Sequence, residues 1–244
     1  MCRSALSAWG VKIDSEPVGA HSMIKRLMKG IYNVRTPKPK YKEIWDINVV
    51  LEYLQTFKSV KKLTLKELTL KLVILMAIST ACRVDTLSKL TIKDLIEEKD
   101  YIILNLHSPL KQQRMGNRLE YVKFKAYEDK NVCVFTTLKE YLCRTKDLRS
   151  SDNLFVSLNK PHKTVTKQTI SRWILCVLKS AGIDVNKYSS HSTRGASVSK
   201  AMSRNVPIDE ILKTGGWKNV NTFTKFYNLP INTEFEFVKS IFKQ

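Results

Sequence analysis

The stretch HSTRGASVSKAMSRNVPIDEILKTGGWKNVNTFTKFYNLP, residues 191–230, holds a His three residues before an Arg, a Trp directly after a Gly-Gly pair, and a Tyr ten residues beyond the Trp. The 244-residue chain has only four His and four Trp, so their company here calls for a reason. His191 and Arg194 stand at i and i+3, and a helix starting there turns both to one side. The Gly215-Gly216 pair makes a turn that can bring backbone close to a ligand just before Trp217. Pro230 ends a helix soon after Tyr227. The stretch predicts short helices over residues 192–204, 208–214 and 221–227, with residues 206–216 as the spacer that brings the chain back to His191 and Arg194.

Charge narrows the partner. Lys and Arg number 42 against 22 Asp and Glu, a net +20, which points to a polyanion such as double-stranded DNA. An apolar content of 43% over this length suffices for a real core. The longest apolar run, residues 72–78, is far shorter than the ~18 residues of a membrane span, so no membrane is expected. Residues 1–10 carry no signal-peptide pattern. Five scattered cysteines (Cys2, Cys82, Cys133, Cys143, Cys176) lack CxxC or His-paired spacing. They are expected to be reduced thiols of the cytosol or nucleus, with neither a disulfide framework nor a metal site.

The best boundary is NVRTPKPKYKEIW, residues 33–45, where two Pro among basic residues favour an extended connector. Before it, Ile24, Leu27, Met28 and Ile31 mark one helical face. Beyond it, Asp46 is placed to cap a helix reaching Phe57, with Val49, Val50 and Leu54 inward. Residues 64–80 form a strongly apolar, hence central, helix, and residues 83–95 a third, short one. Residues 101–106 and 120–127 read as two strands joined by a basic loop that contains Lys111. Helices follow at 134–145 and at 166–182, the latter with Thr166 as cap and Gly182 at its C-terminal end. Residues 153–157 are extended. The last eleven residues predict an amphipathic helix with Phe235, Val238, Ile241 and Phe242 on one face. The sum is a mainly α fold with a small antiparallel β-sheet.

Breaking a phosphodiester without metal or ATP needs a nucleophile, cations on the non-bridging oxygens and an acid for the leaving oxygen. Arg suits the clamp because its planar fork stays charged and donates two bonds at once. Tyr oxygen forms an ester that conserves the bond energy, given a base or positive field to lower its pKa from about 10. Lys can protonate the leaving oxygen. Candidates exist for each role: Tyr227, His191, Arg194, Trp217, Lys111, and Arg83 at a junction beside the most apolar helix, where an unpaired cation is costly. Each alone is weak. His-x-x-Arg is common in basic chains, and Trp217 or Tyr227 would equally serve a core. Their order and spacing together carry the reading.

That order, with TACRVDTLSKLTIKDL, a Lys between two strands, HSTRGA and GGWKNVNTFTKFY, resembles the catalytic domain of the tyrosine recombinase (phage-integrase) family over about residues 41–230. Within it the ending TFTKFYNLP is most similar to recombinases of eukaryotic mobile elements of the Crypton and DIRS type, or host genes derived from them. The resemblance implies the integrase catalytic-domain fold for residues 41–244, and a remnant of the family's N-terminal helical core-binding domain plus linker for residues 1–40. It implies that Arg83 and Arg194 clamp the scissile phosphate, that His191 assists proton transfer at the tyrosine, and that Lys111 is general acid for the 5′ hydroxyl. Trp217 would bond a phosphate oxygen and buttress the pocket. Tyr227 would attack, leaving a 3′-phosphotyrosyl DNA, with no cofactor. Nuclear localisation and assembly as a tetramer on DNA are further implications. The C-terminal helix would either pack in cis or dock on a neighbouring subunit.

Two departures from the family pattern stand out. Bacterial members place the nucleophile nine residues after the Trp or His; here nine falls on Phe226 and ten on Tyr227. One helical residue is a rotation of about 100°, so a longer turn over residues 218–221 is expected to bring Tyr227 to the phosphate. The acid usual three residues after the first Arg is Thr86, with Asp85 at two. Alternatives to a recombinase are a domesticated, catalytically weak DNA-binding domain of the same descent, and a type IB topoisomerase sharing the chemistry.

Overall fold

The computed structural model describes residues 2–107, 121–217 and 220–231, and the chain divides into two compact units, residues 1–40 and 41–244. The smaller unit holds α1 (Cys2–Ala8), a short hairpin of β1 (Lys12–Ile13) and β2 (Glu16–Pro17), and α2 (Ser22–Val34). Asp14 and Ser15 turn the hairpin with positive φ at both positions (47° and 68°), the twist that a two-residue connection requires. Neither α1 nor the hairpin is legible in the periodicity of the first twenty residues. α2 carries the predicted helical face, but no residue of it is buried: Leu27, Met28 and Ile31 on that face stay exposed.

The larger unit is a helical bundle with a sheet on one flank. Asp46 caps α3 (Ile47–Gln55) by accepting from the Asn48 amide at 3.0 Å, and Val50 and Leu54 face inward. α4 (Leu65–Thr80) begins with a reciprocal capping box between Thr64 and Glu67. Every residue from Leu72 to Ala77 is buried, which fits a helix with no polar face there. It packs against α6 (Val134–Thr145), α7 (Lys167–Ser180) and α8 (Ser192–Ser203). Lys71 is buried in it, its ammonium 5.5 Å from the Phe57 ring centroid, and burial lowers its pKa against the opposing pull of Asp129.

One expectation is corrected. A single helix was predicted over residues 83–95, but the helix is only α5 (Val84–Ser88), and Thr91–Glu97 is a strand, β3. The sheet therefore has three strands in the order β3-β4-β5, antiparallel throughout, with β4 (Tyr101–Asn105) central and β5 (Tyr121–Lys125) at the far edge. The physical cause is competition for backbone partners. Ile92 donates to the Asp152 carbonyl at 2.7 Å, the Thr91 hydroxyl bonds the same carbonyl at 2.8 Å, and β4 pairs the rest, so the chain leaves the helix after Ser88. β-Branched Thr91, Ile92 and Ile96 favour the change. The pairings Tyr101↔Lys125 and Asn105↔Tyr121 bury Ile102, Leu104, Val122 and Phe124 on one face.

Residues 41–46 form a strap across two parts of the molecule that matter below. Trp45 donates from its indole to the Ser192 hydroxyl at 2.8 Å, at the start of α8. The Tyr41 hydroxyl bonds Ser189 Oγ at 2.9 Å, and the Ile44 amide donates to the Pro230 carbonyl at 2.8 Å. α9 (Ile208–Gly215) and α10 (Val220–Phe226) complete the unit, with Trp217, Phe223, Ile211 and Val198 in a small second core. Lys111 and the predicted C-terminal helix lie outside the described residues.

Candidate active site

Arg194 is the centre of the arrangement. It lies on the first turn of α8 and is 1% exposed. Its Nη1 donates to the Ala81 carbonyl and its Nη2 to the Gly215 carbonyl at 3.0 Å. Both acceptors sit where a helix ends in left-handed backbone: Ala81 caps α4 at φ 47°, and Gly216 caps α9 at φ 68°. Helix ends carry carbonyls without helical partners, and Arg194 takes up one from each. Those two carbonyls are the part of the site that sequence reading missed. Nothing in the sequence marks Ala81 as left-handed, a conformation uncommon for a non-glycine residue.

The guanidinium lies 4.0 Å from the Trp217 ring centroid and 5.5 Å from that of Tyr227. Trp217 packs edge-on against Tyr227 at 4.8 Å and against Phe223 at 5.4 Å. His191, the N-cap residue of α8, brings Nε2 to 3.4 Å from the Tyr227 hydroxyl. Of the two adjacent rings, Tyr227's is the one against Arg194, Trp217 and His191. Phe226 is half-buried, with Lys225 Nζ 5.5 Å from its centroid. Tyr227 follows the last residue of α10 and keeps a helical bond to the Phe223 carbonyl at 2.9 Å.

The site is rich in cation and short of anion. Burial pushes Arg194 down to about 10, and the charge of Arg83 adds to the shift, against opposing pulls from Tyr227 and Cys82. Arg83 is the N-cap residue of α5 and half-buried. Among the described residues neither arginine pairs with a carboxylate: Asp85 is bound to Lys89 at 3.2 Å and Asp94 to His107 at 3.5 Å. At neutral pH Cys82 supplies no counter-charge, since burial raises its thiol pKa despite Thr80 and the two arginines. Arg194 Nε and Trp217 Nε1 are buried donors with no acceptor among the described residues. Unpaired buried donors are costly, and an anion bearing several oxygens is the ligand that removes the cost. No group of His, Cys, Asp and Glu able to hold a metal occurs among the described residues. The structure thus brings His191, Arg194, Trp217 and Tyr227 together, sets Arg83 within electrostatic reach, and leaves Lys111 undescribed.

Gly215 is where this packing is tightest. A methyl group there would stand 1.6 Å from Trp217 Cζ3. Gly215→Ala should expel the indole and disturb the bond from Arg194 to the residue 215 carbonyl, at a cost of about 1–3 kcal/mol. Thermal unfolding checks this, and an unchanged midpoint would show that the indole moves freely.

The sequence matches the phage integrase family over residues 47–231. Among solved structures the fold is similar to the XerH site-specific recombinase bound to difH substrate in a pre-cleavage complex, at 18% identity and TM-score 0.57, covering 84% of this chain and 54% of that one. The XerA recombinase matches at 18% identity and TM-score 0.56, covering 91% and 74%. The Tn1549 transposon integrase in complex with transposon right-end DNA matches at 16% identity and TM-score 0.54, covering 98% and 76%. The chain thus spans about half the length of XerH. No curated protein sequence matches it. Because the family match runs from α3 through the sheet to the residue after Pro230, taking in the whole His191–Tyr227 cluster, this chain belongs to the phage integrase family, the tyrosine recombinases.

Proposed function

We propose that this chain cuts and rejoins DNA strands through Tyr227. The observation that carries the reading is one hydroxyl, 3.4 Å from His191 Nε2, on a ring that lies against a buried arginine with an unpaired donor. A phosphate diester seated between Arg83 and Arg194 would meet fixed cations and the free donors of Arg194 and Trp217. Tyr227 Oη attacks phosphorus, its proton passing towards His191. The bond from phosphorus to the 5′ oxygen breaks, and that oxygen takes a proton from Lys111. The product is a 3′-phosphotyrosyl ester and a free 5′ hydroxyl, and attack by a second 5′ hydroxyl reverses the step. One ester replaces another, so no energy source is needed. Cations already in place where charge develops supply most of the rate.

The net charge of +20 supports duplex DNA as substrate. We further read the chain as a recombinase of a eukaryotic mobile element of the Crypton or DIRS kind, acting in the nucleus as a tetramer on DNA, with residues 1–40 belonging to a clamping domain.

A nicked duplex, from which the short cleaved fragment bearing the free 5′ hydroxyl diffuses away, tests the reading. The expected result is a denaturant-resistant protein–DNA adduct whose linked peptide maps to Tyr227. Folded protein that binds DNA with the usual salt dependence and forms no adduct would leave a DNA-binding module instead. Relaxation of supercoiled circles without a partner site would move the chain to the topoisomerase side.

A further inference from the structure

We infer that Ser199 is a positioning residue for Tyr227, its buried hydroxyl tying down the chain on the exit side of the tyrosine. The inference rests on the strand cleavage proposed above. Ser199 lies on α8, five residues after Arg194, and is 3% exposed. Its hydroxyl donates to the Tyr227 carbonyl at 3.1 Å and accepts from the Leu229 amide at 3.0 Å. One hydroxyl thus grips the main chain at two points that flank Asn228.

The grip matters because α10 is short. It is seven residues long and buries only Phe223, and a helix that short does not sustain itself. The Tyr227 carbonyl has no helical partner, since Pro230 cannot continue the ladder. Ser199 takes that carbonyl, and the Ile44 amide takes the Pro230 carbonyl at 2.8 Å. With the main chain held on both sides, the Tyr227 ring is placed by its own two torsions, against Trp217 and Arg194. The same helix therefore carries Arg194, which meets the ring, and Ser199, which holds the backbone behind it. Nucleophile and cation are set in one frame.

Three variants separate the hydroxyl from its bulk. Ser199→Ala removes both bonds. Ser199→Thr keeps the hydroxyl, and Ser199→Val has the volume of Thr without it. A displacement of about 1 Å at a reacting atom costs up to about 10²-fold in rate. Single-turnover adduct formation on the nicked duplex should fall about 10-fold or more in the Ala and Val variants, with DNA affinity unchanged, and return to within about 3-fold of the parent in Thr. Hydrogen exchange at the Leu229 amide should speed up in Ala and Val and slow again in Thr. Equal rates in Thr and Val would overturn the inference, because bulk alone would then explain the loss. So would a parental rate in Ala, or a matching loss of DNA affinity. Should the parent protein form no adduct, strand cleavage fails, and the exchange of the Leu229 amide alone decides whether Ser199 holds the chain.

Discussion

Replacing Tyr227 with Phe removes one oxygen from the site and, with it, all covalent protein–DNA adduct. The ring should stay where it is. Its contact with the Trp217 ring at 4.8 Å belongs to the aromatic system, which Phe keeps, while the hydroxyl's pull on Arg194 is what Phe gives up. The hydroxyl's contact with His191 is long, at 3.4 Å, and the residue is only half-buried, so stability should change by no more than about 0.5 kcal/mol. DNA affinity should hold as well, because it draws on a net charge of +20 rather than on one phenol. The loss is therefore confined to bond making. Adduct persisting in Tyr227→Phe would mean that another of the nine tyrosines attacks. Phe226→Leu is the matched control: its ring lies 5.5 Å from Lys225 Nζ, and adduct formation should survive.

Much of this was legible in the sequence, and the exceptions have physical causes. The helical face of α2 and the spans of α6 and α7 follow from apolar spacing, and the caps at Asp46 and Thr166 follow from side-chain oxygens that reach an amide two or three residues on. Local chemistry decides such features. β3 escaped because Thr91–Glu97 is decided by distant partners, the Asp152 carbonyl and β4, which periodicity does not see. The same holds for the Ala81 and Gly215 carbonyls that bind Arg194 and for the grip of Ser199 on Tyr227, contacts that span 113, 21 and 28 residues. The Gly-Gly pair was read as a close approach of backbone to a ligand. Its first glycine in fact makes room for Trp217, and its second supplies the left-handed cap. The ten-residue spacing from Trp217 predicts Tyr227 rather than Phe226 at the site, and the structure sets the Tyr227 ring against Trp217 and Arg194.

Arg194→Lys should be nearly as damaging to chemistry as loss of the tyrosine, for a different reason. The guanidinium does three things at once: Nη1 holds Ala81, Nη2 holds Gly215, and Nε remains free in a buried site. A lysine ammonium is a single point with three donors and no planar fork, so it cannot bridge two helix ends and still present a fixed donor to phosphate. Loss of one preorganised donor at a developing anion costs about 10²–10³ in rate. Here the junction of α4 and α9 also loosens, so adduct formation should fall by at least that factor. DNA affinity should change little, since one cation of 42 remains a cation. Stability carries a second signature. Burial holds the arginine's folded-state pKa near 10, well below its ordinary value, so the protonated form is disfavoured in the fold. Both folded and unfolded arginine are charged at pH 7, and the penalty is fully present there; it is relieved only as pH rises through about 10. An oxyanion in the site offsets the same penalty at neutral pH. A short duplex carrying phosphate at the site should therefore raise the melting midpoint of the parent protein more than that of Arg194→Lys, at equal occupancy. Equal increments in the two proteins would mean that the phosphate does not reach Arg194, and that the buried guanidinium is a strut between α4, α8 and α9 alone.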